Sequence, residues 1–147
     1  MRPVVLVLAA TFALLALVRW AIASGDRQTL VSGPDVIAEA FMEDVLLRRG
    51  DPARGHLTGS AASRVSSDSL IALGRAIQGT RKGRNAEATI ETVDSTQSLV
   101  RVEILFDDGS TSEFRLPLAW ESGHWRVPDL APVEAWMSSL PARTATR

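Results

Sequence analysis

Within the stretch TRKGR, residues 80–84, the spacing of apolar residues changes from helical to alternating, which confines the chain around it to helices followed by sheet. Before the switch, Val36, Ile37, Ala40, Phe41 and Val45 recur at intervals that fit one helical face. They predict a helix over 34–49, with Ser32 or Gly33 as its cap, Pro34 in its first turn and Gly50 just past its end. Asp51 and Pro52 open a short second turn reaching about His56, and LTGSAAS reads as a loop. Leu70, Ile71, Leu73, Ala76 and Ile77 mark a third helix, from Ser67 or Asp68 to Gly79.

After the switch, strands are expected over 85–93, 99–106, 112–120 and 124–128, with turns at 94–97, around Asp107-Asp108-Gly109, and at Glu121-Ser122-Gly123. Val100, Val102, Ile104 and Phe106 share one face of the second strand, and Phe114, Leu116, Leu118 and Trp120 one face of the third. A two-residue hairpin at Asp108-Gly109 sends these sets to opposite faces, whereas a five-residue loop over 107–111 brings them together and sets Glu103 opposite Arg115. A three-residue loop opposes Arg101 with Arg115 and Glu103 with Glu113, so the five-residue loop is expected. Pro117 falls on the other face and implies a strand edge or bulge. A final helix over 132–140 docks Trp136 and Met137 ahead of a polar tail, 141–147. The fold class is α+β, with amphipathic helices packed on a curved four-stranded antiparallel sheet.

Ahead of this domain, Arg2 precedes an uninterrupted apolar stretch from Pro3 to Val18, followed by Arg19, Trp20, Ala21, Ile22 and Ala23. Two readings stand: a signal peptide cleaved near Ala23, supported by Ala21-x-Ala23, or an uncleaved transmembrane anchor over 3–23, about 31 Å of helix. In both, the remainder is exported; as an anchor, the segment holds the domain outside the cytoplasmic membrane, and as a signal peptide it leaves a secreted or periplasmic protein. Residues 24–33 are a small, polar linker, and the domain spans 34–140.

All 17 acidic residues follow Ala23, whereas Arg2 and Arg19 precede it; the 16 basic residues therefore leave 14 against 17 in the exported part. An acidic balance gives phosphate backbones little to hold, so no nucleic acid is expected. With no cysteine, there is no disulfide, thiol nucleophile or thiolate metal site. His56 and His124 have no second histidine at a zinc-ligand spacing, and Asp107-Asp108-Gly109-Ser110 lacks the glutamate of a calcium loop, so no metal and no cofactor are expected. The surroundings of both histidines suit ordinary surface or capping roles, and no catalytic residue is assigned. Trp120, Trp125 and Trp136 stand where core or edge packing accounts for them.

The opening PDVIAEAFMEDVLLRRGDPARGHLT, the meander, and the closing GHWRV with Trp125 resemble the nuclear-transport-factor-2-like superfamily over roughly residues 34–130. The resemblance implies a cone-shaped sheet around a long helix, an apolar cavity between them, and an outer sheet face through which many members dimerise. On that reading Phe41, Val45, Leu73, Ile77, Phe114, Leu116 and Trp120 line the cone and are the candidate ligand-binding residues. Enzymes of the superfamily often use tyrosines at the pocket floor, and this chain has none. The expected function is a non-enzymatic extracytoplasmic module held at the membrane, binding an envelope protein or a second copy through its sheet face. Similar anchored domains serve as assembly subunits of type IV secretion and conjugation machines. A carrier or sensor of an apolar small molecule or lipid is the alternative, and a small isomerase- or dehydratase-like enzyme the second.

Overall fold

The computed structural model describes residues 32–141. The leader over 1–23, most of the linker and the tail beyond 141 lie outside the described residues, among which no helix is long and apolar enough to cross a membrane. Four helices precede the sheet: α1 (Pro34–Leu46), α2 (Gly50–Gly55), α3 (Gly59–Arg64) and α4 (Ser67–Thr80). Strands β1 (Gly83–Val93), β2 (Gln97–Phe106), β3 (Thr111–Glu121) and β4 (His124–Arg126) follow, and α5 (Ala131–Ser139) closes the domain. The fold is α+β, with the helices packed on a curved antiparallel sheet of order β1-β2-β3-β4.

Helix α1 begins where the proline at its first turn indicates, yet it ends at Leu46 rather than near Arg49. The chain turns at Arg48, which takes a left-handed φ of 59°, so Gly50 is free to open α2. What Gly50 supplies is space: a Cβ there would stand 2.4 Å from the Ser67 carbonyl oxygen. The LTGSAAS stretch is a correction, because it holds α3, with the Thr58 hydroxyl capping the Ala61 amide at 3.2 Å. Its short run of small residues has no apolar periodicity to announce a helix, only the cap. Ser66 caps α4 in the same way.

The β2–β3 register is the second correction. Arg101 pairs with Arg115 and Glu103 with Glu113, the outcome of a three-residue loop over 107–109. Both candidate loops keep the two apolar sets together, and local turn chemistry decides between them. Gly109 takes φ 81°, Ser110 offers its carbonyl to the Phe106 amide at 2.9 Å, and Asp108 accepts from the Ser110 amide at 3.0 Å. Arg81 fastens this loop, donating to Asp108 at 2.7 Å while its guanidinium lies 4.8 Å from the Phe106 ring centroid. Pro117 pairs with Leu99, and the β3–β4 ladder stops at Ala119, so no strand on that side calls for the missing amide hydrogen.

One core fills the concave face, built from Phe41, Met42 and Val45 of α1, Leu70 and Ile77 of α4, and Val100, Val102, Ile104 and Leu116 of the sheet. Helix α5 closes one end as expected: the Trp136 ring stacks on Phe114 at 4.9 Å and on Phe106 at 6.5 Å, and its indole N–H donates to Ser112 Oγ at 2.9 Å. Each aromatic pair contributes about 0.5–1.5 kcal/mol beyond burial.

Candidate functional site

Alternation in β1, β2 and β3 sends every second side chain away from the core, onto a sheet face that no described helix covers. The observed register lines these side chains up by charge. Glu87, Glu103 and Glu113 form one row across three strands, and Arg101 beside Arg115 forms the next. Like charges directly opposite one another are unfavourable by a few tenths to about 1 kcal/mol per pair. Diagonal partners relieve part of this: Arg115 donates to Glu91 at 2.8 Å, which pushes the guanidinium above its ordinary pKa, and Arg101 lies 4.0 Å from Glu113. Glu87 and Glu103 make no ion pair among the described residues.

Recesses open elsewhere, two of them among the described residues. The larger, about 520 Å³, sits at the β1–β2 turn between Val93, Leu99, Pro117 and Pro128. Asp94 at its rim accepts from the Thr96 and Gln97 amides, both at 2.8 Å, and these bonds hold its carboxyl below the usual carboxylate range. The smaller, about 200 Å³, lies where α1, the end of α2 and β4 meet, lined by Ile37, Gly55, His56, His124, Trp125 and Arg126.

Behind the smaller recess is a buried polar cluster that sequence reading missed. Asp44, only 7% exposed, accepts from Arg49 at 2.7 Å on one oxygen and from His56 Nε2 at 3.1 Å on the other. The backbone fixes His56 as well: Val127 N–H donates to the His56 carbonyl at 2.8 Å, Thr58 N–H donates to the Val127 carbonyl at 3.0 Å, and Leu57 bridges Val127 in parallel. One signal was available: a charged Asp44 beside Val45, three residues after Phe41, stands on the apolar stripe of its helix.

Of the residues expected to line the cone, Phe41, Val45, Leu73, Ile77 and Leu116 belong to the packed core. Phe114 is partly buried against it, and Trp120 is 38% exposed, edge-on to Trp125 at 5.3 Å. None of the seven lines either recess. His56 and His124, far apart in sequence, come together at the smaller one. Among the described residues, no group of three or more metal-binding side chains assembles.

No protein-family model matches the chain, and no curated protein matches it. Solved structures do. A Campylobacter jejuni protein that carries a provisional NTF2-like transpeptidase name superposes with a TM-score of 0.55 at 17% identity, over 67% of this chain and 99% of that one. A SEC-C-motif-containing protein from Rhodopseudomonas palustris gives 0.55 at 11% identity, over 71% and 81%. A cystatin-fold protein from Novosphingobium aromaticivorans reaches 0.41 at 16% identity, over 65% and 96%. The fold is the cone-shaped NTF2-like α+β fold.

Proposed function

We propose that this domain is a non-enzymatic extracytoplasmic binding or assembly module, held at the membrane by residues 3–23 and acting through protein contacts of its outer sheet face. The observation that carries the reading is the pair of charge rows. Glu87, Glu103 and Glu113 stand side by side on an uncovered face, next to Arg101 and Arg115. A partner that lays basic side chains over the first row and acidic ones over the second removes a repulsion the isolated domain retains. Either an envelope protein or a second copy fits that description. Phe41, Ile77 and Leu116, which a carrier using the inside of the cone would present to its ligand, are fully buried and offer no solvent-accessible surface.

The test is site-specific photo-crosslinking in producing cells, with the crosslinker at Glu103 on the outer face or at the exposed Arg75 of α4. A discrete adduct from position 103 and none from 75 is expected. Adducts from 75 alone, or from neither, would sink the reading.

A further inference from the structure

The small recess at the junction of α1, α2 and β4 has a chemical character of its own, independent of the outer face. Its polar lining is His56, His124 and Arg126, and no carboxylate is among its lining residues. The nearby carboxylates are turned to other partners: Asp44 to Arg49 and His56, and Glu121 to the Gly59 amide at 2.9 Å. Glu121 stands 4.0 Å from Arg126 Nε, the outer limit of an ion pair, so the guanidinium keeps donors for a closer anion. Because Nε2 of His56 donates to Asp44, the imidazole is fixed in orientation, and Nδ1 makes no hydrogen bond among the described residues. The rest of the lining is Ile37, Gly55 and Trp125.

We infer that this recess binds a small carboxylic acid with an apolar or aromatic body. The carboxylate meets Arg126 and the His124 imidazole, and the body lies against Ile37, Trp125 and the His56 ring, whose free Nδ1 is an acceptor while Nε2 donates to Asp44. A volume of about 200 Å³ falls below the roughly 300–1,000 Å³ of sites for drug-sized ligands. It suits a molecule of the size of benzoate, for which a dissociation constant on the order of millimolar is expected.

The chain has 2 histidines, so its imidazole proton NMR spectrum reports on this recess and on nothing else. Sodium benzoate is titrated into the full-length chain, with benzyl alcohol as the uncharged analogue and sodium chloride at matched ionic strength. Both imidazole signals are expected to move along one saturable curve with benzoate and with neither control. Arg126→Gln and His124→Gln are each expected to weaken binding by about tenfold, the loss of one charge-assisted hydrogen bond. Arg126 also donates to the Gly55 carbonyl, so if its variant fails to fold, His124→Gln decides, because His124 is exposed at the first position of β4. Movement of one signal alone, a response that does not saturate, equal binding of benzyl alcohol, or wild-type affinity in His124→Gln overturns the inference.

Discussion

His56 donates from Nε2 to the buried carboxylate of Asp44 at 3.1 Å, tying the residue that caps α2 to the inner stripe of α1. Arg49 takes the other oxygen at 2.7 Å, so both oxygens of a buried acid are satisfied. Asp44→Ala removes the shared acceptor and leaves His56 without its partner. A loss of about 2 kcal/mol of unfolding free energy is expected, read by urea denaturation.

Helix α4 crosses α1 at Gly74, where a Cβ would stand 2.1 Å from the Val45 carbonyl oxygen. Gly74→Ala therefore forces the helices apart and is expected to cost about 3 kcal/mol. Gly79, in the same helix, has nothing within 4 Å of its Cβ position. Gly79→Ala is expected to stabilise by about 0.5–1 kcal/mol through helix propensity. The two thermal midpoints, measured side by side, should move in opposite directions.

Asp108 is held well below its ordinary pKa, first by the Ser110 hydroxyl, then by Arg81 and the Ser110 amide. A depressed carboxylate stabilises the fold above its unfolded pKa, 3.8 here, and that contribution is lost as pH falls further, through the folded value. Asp108→Ala should lower the urea midpoint at pH 7 more than at pH 2.5. An equal drop at both would contradict the assigned role.

Residues 3–23 are proposed to anchor the domain outside the cytoplasmic membrane. Intact-mass analysis of membrane and soluble extracytoplasmic fractions is expected to find the full-length chain in the membrane. A mass beginning at Ser24 in the soluble fraction would replace the anchor with a cleaved signal peptide.

Local rules made most of this fold legible. Pro34 at a helix start, the alternation of Val100, Val102, Ile104 and Phe106, and Trp136 on a short closing helix all act within a few residues of themselves. The β2–β3 register was not legible from burial, since five- and three-residue loops place the same side chains inward. Gly109 with its left-handed φ and Asp108 with its Ser110 bonds settle it. The charge rows follow directly from that register and so stayed hidden with it. The smaller recess joins His56 to His124, and its cluster joins Asp44 to His56, through tertiary contacts that no short-range pattern specifies.

On the proposed reading, the charge rows of the outer face are what a partner meets. Arg101 and Arg115 are exposed, so reversing both to Glu leaves the core intact while turning the adjacent rows acidic throughout. The direct measurement is the yield of the photo-crosslinked adduct from position 103 in the Arg101→Glu, Arg115→Glu double variant, alongside its thermal midpoint. The adduct is expected to fall at least about tenfold while the variant remains folded. An undiminished adduct from a folded double variant would show that the rows are not the contact.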